Sequence, residues 1–395
     1  MPEQHPSLRY WLQLSLTPGI GPILTRRIIA AAGSAAAACT ANANLLESVE
    51  GIGKNGARKI ATGLRSAESL VDPEIQRVGK IGCRLICPED GEYPILLNSI
   101  PDPPSVLYVM GALEPRDLHA VAIVGSRRCS FYGREQAERF GALLAGSGIT
   151  VISGGARGID SAAHRGALAA NGGRTIAIIG SGIDIPYPPE NVEFFATIAQ
   201  HGAVVSEYPL GTPPNKENFP RRNRIVSGMS RGVLVVEADE RSGALITARQ
   251  AADDHNRPVF AVPGRVDNPL STGTHQLIRD GAVLAAKLED ILDNLGPLPA
   301  EVTDAPILST GQPPAELAQA TPAERGANGE IPEIPLTESQ VTLLAALDAD
   351  AAAVDTIIER CGLPAHVVFQ ELTFLTLKGR VRRIDGQTYA RRGKA

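Results

Sequence analysis

The sequence predicts an α/β protein whose centre is a Rossmann-like, doubly wound and mostly parallel sheet. Between residues 106 and 296, apolar runs of strand length alternate with amphipathic segments of helix length. Continuous apolar strands that alternate with helices are typical of a parallel sheet covered on both faces. The apolar runs are 106–111, 121–125, 150–155, 175–180, 203–207, 232–237, 259–264 and 282–286. Since ligands of such sheets lie beyond the carboxyl ends of the strands, the residues after each run are candidate site residues.

A helical domain is predicted before the sheet, over residues 1–75. Two Gly-Ile-Gly turns, at 19–21 and 51–53, each stand between predicted helices. This pattern is typical of a SAM-like or helix-hairpin-helix domain, because glycines permit the tight turn and the N–H groups that follow can hold a phosphate. An ordinary helix–helix corner with a glycine turn is the alternative interpretation.

Composition marks the remaining boundaries, with the extended Rossmann-like domain over 76–296. Residues 297–335 contain eight prolines and no aromatic residue, which predicts a disordered linker. Residues 336–395 predict three helices and a hairpin with an Asp385-Gly386 turn, the pattern of a winged-helix domain. Contact with DNA and contact with another protein are the two alternative interpretations of this domain. The basic residues in and after its predicted wing are Lys378, Arg380, Arg382, Arg383, Arg391, Arg392 and Lys394.

Whole-chain composition restricts the class of protein. The net charge is −5 and the pI is near 5.9, so nucleic-acid binding must be argued from local patches of positive charge. Five scattered cysteines complete no zinc-binding set, and we expect reduced thiols in the cytoplasm and no bound metal. No apolar run reaches the roughly 18–20 residues that span a bilayer. The first residues also lack the pattern of a secretion signal.

One stretch of the central domain, FPRRNRIVSGMSR at 219–231, is rich in arginine. It contains four arginines, begins with Phe219 and follows Lys216. Cations interleaved with an aromatic residue beside a strand are typical of a site for a polyanion with bases that stack. A helix with a solvated basic face is the alternative interpretation. From helical spacing we expect Phe219 and Arg222 to face the ligand while some of the other arginines brace the fold.

Other strand ends carry small residues and further cations. Ser126 and Arg127 follow the run 121–125, and Arg157 follows the run 150–155. Because the carboxyl ends of parallel strands meet at one edge of a sheet, we expect these cations to share a rim with Lys216. Helices that begin at this rim offer N–H donors to a phosphate group.

Motifs of several enzyme and cofactor classes are missing where they would be expected. No strand end of the central domain reads G-x-G-x-x-G, and the chain has no G-x-x-x-x-G-K-[ST], so neither a dinucleotide cofactor nor P-loop ATPase chemistry is expected. Asp160 and His164 stand one helical turn apart. That spacing suits an acid–base pair, and it equally suits two side chains that tie a helix start together.

Seven segments of the central domain form a nearly continuous series of motifs. They are GSRRCSFYG (125–133), SGGARGIDSAAHRGAL (153–168), IAIIGSGIDIPYP (176–188), SEYPLGTPPNKENFPRRNRIVSGMSRG (206–232), VVEADERSGALITARQA (235–251), VFAVPG (259–264) and STGTHQLIRDGA (271–282). In these segments the chain resembles the bacterial DNA-processing protein DprA (Smf) family. The resemblance implies a cytoplasmic, dimeric protein that binds single-stranded DNA without sequence preference. It also implies that DNA is handed to the RecA recombinase during natural transformation, with no cofactor and no enzymatic turnover.

Carried over by motif position, the resemblance implies a set of DNA-binding residues. In that set Arg127 would hold phosphate, Lys216 would screen the backbone and Phe219 would stack on a base. The full set is Ser126, Arg127, Arg157, Lys216, Phe219, Arg222 and Asn223.

The same resemblance implies two protein contacts. The dimer contact would lie near His275 and Leu284, and the surface that faces RecA would lie on the helix that begins near Ala244. The chain departs from its relatives after the Tyr-Pro pair at 187–188, where a basic residue can follow. Here Pro189 and Glu190 follow, so we expect that edge of the groove to be less cationic.

Two other functions share parts of this pattern. Nucleotide N-glycosidases of the lysine-decarboxylase-like phosphoribohydrolase type have the same kind of sheet and carry a P-G-G-x-G-T-x-x-E motif. The corresponding region here, 241–251, lacks that glutamate and leaves Glu207 and Glu237 as the available carboxylates. A transcription-factor-like protein that binds duplex DNA through its winged helix is the third interpretation.

Overall fold

A computed structural model of the chain describes residues 5–295, 338–347, 352–377, 381–385 and 388–391. The chain divides into two units, Met1–Leu298 and Pro299–Ala395. Each unit is described by itself below. The predicted linker at 297–335 lies outside the described residues.

The first unit begins with five helices, and both predicted glycine turns lie between helices of this group. Gly19 and Gly51 have φ values of +85° and +91°, in the left-handed region that favours glycine, and each turn leads into the next long helix. The segment GIGKNG at 51–56 has the letters of a dinucleotide-binding motif, but it follows a helix rather than a strand. The helices are α1 (Leu8–Leu16), α2 (Pro22–Ala32), α3 (Ala35–Cys39), α4 (Ala43–Glu47) and α5 (Lys54–Lys80).

Helix α5 connects the helical region to the sheet without a break. It runs through Pro73 to Lys80, so the domain boundary predicted at residue 75 falls inside a helix. The buried Glu74 accepts hydrogen bonds from the Tyr108 hydroxyl at 3.1 Å and the Leu210 backbone N–H at 2.8 Å. The helical region therefore shares a hydrophobic core with one side of the sheet.

Nine strands in the described part of the chain form one sheet, in the order β1-β2-β6-β5-β4-β3-β7-β8-β9. Strands β1 and β2 are antiparallel to their neighbours, and the other pairs are parallel. This confirms the predicted sheet and all eight predicted strands; β1, only three residues long, was not predicted. The strands are β1 (Arg84–Ile86), β2 (Leu107–Gly111), β3 (Ala120–Val124), β4 (Thr150–Ser153), β5 (Thr175–Ile178), β6 (Gly202–Ser206), β7 (Val233–Val235), β8 (Val259–Ala261) and β9 (Val283–Leu284).

The strand order reverses between β3 and β7, which lie side by side. The chain moves from β3 through β4 and β5 to β6, and then returns to place β7 on the other side of β3. Such a reversal leaves a crevice at the carboxyl ends of the two strands, where ligands of open α/β sheets bind. The helices of this region are α6 (Ile95–Asn98), α7 (Phe131–Gly146), α8 (Ile159–Ala169), α9 (Val192–His201), α10 (Asn218–Gly228), α11 (Gly243–Arg249), α12 (Thr272–Arg279) and α13 (Leu288–Leu292).

The second unit has the predicted winged-helix pattern in its described residues. Leu343, Ile357, Leu372 and Val381 are buried in one core that joins the three helices to the hairpin. Of the predicted wing, Lys378, Arg380, Gly386, Arg392 and Lys394 lie outside the described residues. The elements are α14 (Glu338–Ala346), β10 (Ala352–Ala353), α15 (Val354–Cys361), α16 (Ala365–Leu377), β11 (Val381–Asp385) and β12 (Thr388–Arg391), with the antiparallel order β10-β12-β11.

None of the helices within the described ranges is both long enough and apolar enough to cross a membrane. The five cysteines carry free thiols, and Cys39, Cys83 and Cys87 are buried.

Candidate nucleic-acid interface

The loop after β3 forms the floor of the crevice at the strand reversal. The backbone N–H of Ser126 donates to the carbonyl of Glu237 across the β3–β7 pair at 2.7 Å, and the N–H of Ile159 donates to the Ser126 carbonyl at 3.2 Å. Gly158 has a φ of +76°, and a Cβ there would collide with the Ser126 carbonyl. Ser126 is itself buried and its Oγ accepts from the N–H of Arg128 at 3.1 Å. Its role is to shape a loop that holds Arg127 and Arg128 exposed at the rim.

Two aromatic rings and two guanidinium groups meet at this rim. The guanidinium of Arg127 lies 4.9 Å from the ring centre of Phe219, and that of Arg157 lies 5.7 Å from the ring centre of Tyr187. The two rings are 5.7 Å apart and tilted by 55°. Gly180 lets Phe219 come close, since a Cβ at this position would lie 3.0 Å from the Phe219 ring. Three of the predicted residues are therefore brought together with Tyr187, which was not predicted. We call this cluster of Arg127, Arg157, Tyr187 and Phe219 the aromatic rim.

Arg157 is held in an ion pair at the rim. Its guanidinium forms two hydrogen bonds with the carboxylate of Glu190, one of them 3.0 Å long, and a longer one of 3.4 Å with the Tyr187 hydroxyl. The bonds to Glu190 raise the pKa of Arg157 and lower the pKa of Glu190. Both side chains are 52% exposed, so solvent and other ions compete for the pair. The expectation of a less cationic edge at Glu190 now has a geometric basis, because this carboxylate neutralises Arg157.

Arg222 is buried below the rim, contrary to the expectation that it faces the ligand with Phe219. Only 4% of Arg222 is exposed, and a Cβ on Gly154 would collide with both its guanidinium and the Asp160 carboxylate. Burial lowers the pKa of Arg222 to about 10 and raises that of Asp160. The Nε of Arg222 makes no hydrogen bond to any described residue. The physical reason is that α10 packs into the protein on most of its circumference, so its helical faces do not divide into a ligand face and a solvent face.

The other predicted site residues have mixed positions. Lys216 is exposed in the segment that precedes α10, and Asn223 is partly buried with its amide 3.4 Å from the Gly243 carbonyl. Arg224 is buried and donates to Asp102 at 2.8 Å and to Glu207 at 2.6 Å. The expectation that some arginines of the stretch brace the fold is confirmed for Arg224.

The possible acid–base pair is not assembled. Nδ1 of the buried His164 lies 2.6 Å from the Thr175 hydroxyl, which donates to the Val151 carbonyl, so we assign the proton between them to the histidine. Burial lowers the pKa of His164 to about 3, which keeps the ring neutral. Asp160 instead accepts a hydrogen bond from the N–H of Ala156 at 3.3 Å, which stabilises the start of α8.

Both carboxylates considered for glycosidase chemistry have structural roles. Glu237 accepts from the backbone N–H and the hydroxyl of Ser130 at 2.8 and 2.6 Å, which fixes the start of α7. Glu207 is held by Arg224. A G-x-S-x-G pattern does occur at 228–232, but it links a helix to a following strand, the reverse of a nucleophile elbow. Its Ser230 is fully buried and donates to the Val226 carbonyl at 2.7 Å.

The residues predicted for the dimer contact lie on the edge strand β9 and on helix α12. Leu284 is 46% exposed on β9, the last strand in the order. His275 on α12 is partly buried, with Nε2 3.0 Å from the Gly264 carbonyl. The predicted RecA-facing helix is α11, in which Ala244 is buried and Ile246 is exposed.

Tyr187 is the rim residue that the residue patterns alone did not assign. The one feature of the sequence that pointed to Tyr187 was its position as an aromatic residue after the apolar run at 175–180, in the segment GIDIPYP. Periodicity gives no weight to a single aromatic residue in a loop, and only the fold places it beside Phe219.

Comparisons with known proteins agree on one family. The family model for DNA recombination-mediator protein A matches residues 84–296, and the model for the DprA winged helix domain matches residues 330–387. Protein Smf from Synechocystis is 36% identical over 398 residues, covering 97% of this chain and 98% of that protein. DNA processing protein DprA from Streptococcus pneumoniae is 44% identical over 203 residues, covering 51% of this chain and 71% of that protein. The X-ray structure of DprA from the same species is similar with a TM-score of 0.62 and 33% identity, covering 74% of this chain and 99% of that chain.

Proposed function

Because this chain belongs to the DprA (Smf) family of DNA-processing proteins, we propose that it binds single-stranded DNA at the aromatic rim. The observation that carries the proposal is the guanidinium of Arg127 beside the ring of Phe219. A ring offers a stacking surface to the face of a base, and a guanidinium binds the phosphate next to it. The pair therefore presents the two groups that a nucleotide of a single strand requires.

The chemistry of the rim favours single strands of any sequence. In a duplex the base faces are covered by neighbouring bases, whereas in a single strand they are free to stack on a side chain. Rings and guanidinium groups at phosphates do not read the hydrogen-bonding edges of bases. We therefore expect similar affinity for strands of different sequence and lower affinity for duplex DNA.

The wider role follows from the family. In this proposal the protein acts in the cytoplasm as a homodimer that protects incoming DNA during natural transformation and loads the RecA recombinase onto it. The exposed Leu284 on an edge strand supports a contact between two copies, and the exposed Ile246 on α11 supports a protein-binding surface there. We also propose binding without catalysis, which is supported by the structural roles of His164, Glu207 and Glu237.

Fluorescence anisotropy with labelled oligo-dT and with a duplex of equal length tests the proposed DNA binding. The wild type should prefer the single strand, with an affinity that falls as salt rises because cations on phosphates release counterions. Arg127→Ala should weaken binding to all sequences alike. The matched control is Arg116→Ala, at an exposed arginine paired with Glu114. Equal affinity for single strands and duplexes, or an unchanged affinity of Arg127→Ala, would contradict the proposal.

A further inference from the structure

A second concave surface lies directly beside the aromatic rim. It is a pocket of about 330 Å³ at the starts of α7 and α8, where Gly158 and Ser161 form part of the wall. Among the described residues no aromatic side chain lines it, so these residues offer no stacking surface for a base there. Five arginines line this pocket, which we call the arginine pocket: Arg127, Arg128, Arg134, Arg157 and Arg165.

The arginine pocket carries an excess of positive charge. Arg157 pairs with Glu190, and Arg165 pairs with Glu138 at 3.2 Å, both in exposed positions. The other three arginines make no ion pair with any described residue. Five guanidinium groups around one concave surface repel one another, and an anion bound between them relieves that repulsion. This concentration is unusual for a chain with a net charge of −5, and it suits a phosphate group better than a neutral ligand.

Two of these arginines belong to both surfaces. Arg127 lines the pocket and lies over Phe219, while Arg157 lines it and lies over Tyr187. A strand that stacks a base on Phe219 therefore has its backbone beside Arg127, at the border of the pocket. From there the next cations toward the start of α7 are Arg128 and Arg134.

We propose that the arginine pocket is a second subsite for the same DNA strand, which binds backbone phosphate beyond the nucleotide at the aromatic rim. The inference rests on the proposed binding of single-stranded DNA. It adds Arg128, Arg134 and Arg165 as residues that bind phosphate and not bases. The bound strand runs from Phe219 across Arg127 into the pocket, and the ion pairs of Arg157 and Arg165 exchange their carboxylates for phosphate.

The test compares a pocket variant with a charge-matched control on two strand lengths. The pocket variant is Arg134→Gln/Arg165→Gln. The control, Arg116→Gln/Arg139→Gln, also loses two exposed arginines, and Arg139 is on the same helix as Arg134 but does not line the pocket. A dT dinucleotide has a single internucleotide phosphate and can fill the rim alone, and oligo-dT of about 20 nucleotides exceeds a typical single-domain site. Binding of each strand is measured by anisotropy over a range of salt concentrations.

On the long strand, the pocket variant should bind more weakly than the control. The slope of log affinity against log salt should become shallower by about 0.7 for each phosphate contact that is lost. On the short strand, the two variants should behave alike. Arg134→Lys/Arg165→Lys keeps the charge and should recover most of the slope, which separates a phosphate contact from a change in folding.

The outcomes separate this inference from the proposed function. If the wild type binds no oligonucleotide, both are wrong. If Arg127→Ala weakens binding but the pocket variant matches its control on the long strand, the pocket inference alone is wrong. Titration with inorganic phosphate, followed by phosphorus NMR, tests whether the pocket is instead a site for a free small anion. Phosphate binding that the pocket variant abolishes, together with control-level affinity for the long strand, also overturns the inference.

Discussion

Arg127 and Phe219, which are separated by 92 positions in the chain, lie with the guanidinium 4.9 Å from the ring centre. Arg127 comes from the loop after β3 and Phe219 from the first turn of α10, and the fold brings both to the carboxyl edge of the sheet. This distance is within the range of a cation–π contact. The contact restricts the conformations of both side chains before DNA binds, so less conformational entropy is lost when a nucleotide binds.

Replacement of Phe219 by leucine should weaken single-stranded DNA binding. Loss of one stacked base costs about 1–3 kcal/mol, or about 5- to 150-fold in Kd. The salt dependence should stay nearly unchanged, because no phosphate contact is removed. Anisotropy with oligo-dT measures both quantities, and Tyr10→Leu, at an exposed aromatic residue on α1, is the control. An unchanged Kd would show that Phe219 does not stack on a base.

Replacement of Glu190 by glutamine should strengthen DNA binding. Glu190 occupies the guanidinium of Arg157, so a phosphate must displace it. Because the pair is exposed, we expect a gain of about two- to fivefold. Glu193→Gln, an exposed glutamate in the following helix, makes the same change in net charge. Equal gains in the two variants would indicate a general effect of charge and not competition at Arg157.

Replacement of Arg222 by methionine should reduce stability. The guanidinium of Arg222 favours the charged form of the buried Asp160, and removing it leaves a buried polar group uncompensated, at a cost of about 1–3 kcal/mol. The double variant Arg222→Met/Asp160→Asn removes both charges and should recover part of the loss. Urea unfolding followed by circular dichroism measures these differences. A fully stable Arg222→Met with weakened DNA binding would instead support a direct role at the site.

His164 should make the protein less stable below neutral pH. Its folded pKa of about 3 is below the ordinary value of 6.5, so between these values the unfolded chain binds a proton that the folded chain excludes. The contribution of His164 is therefore complete above pH 6.5 and declines as the pH falls, by about 1.4 kcal/mol for each pH unit. The difference in unfolding free energy between wild type and His164→Gln, measured at several pH values, isolates this effect. A pH-independent difference for His164→Gln would contradict the assignment.

Replacement of Leu284 by arginine should prevent the proposed dimer from forming. Strand β9 is at the edge of the sheet, where a charged side chain opposes pairing with a second copy. Light scattering should give the mass of a dimer for the wild type and of a monomer for Leu284→Arg. Ile23→Arg, at an exposed position on α2, should remain dimeric. A dimer mass for Leu284→Arg would place the interface elsewhere.

The alternation of apolar runs and amphipathic segments was sufficient to predict the sheet and eight of the nine strands that the described residues form. The reason is that a buried strand appears as a short continuous apolar run, whereas a half-buried helix repeats its apolar residues every three to four positions. Both patterns can be recognised within a short window of sequence. The position of Arg127 after β3 followed from the same reasoning, since the carboxyl ends of parallel strands share an edge. The interleaving of cations with an aromatic residue then supplied Phe219 and Lys216 as site residues.

The sequence by itself determined the parallel sheet, the glycine turns and the edge at which cations gather. Only the tertiary structure decided that Arg222 lies under the rim beside Asp160, that Glu190 neutralises Arg157, and that Tyr187 stands beside Phe219. The physical reason is that hydrophobic periodicity and turn preferences depend on a few neighbouring residues. Burial and charge pairing depend instead on which distant segment of the chain packs against a given side chain. Arginines of one short stretch can therefore be buried or exposed according to neighbours that lie far away in the chain.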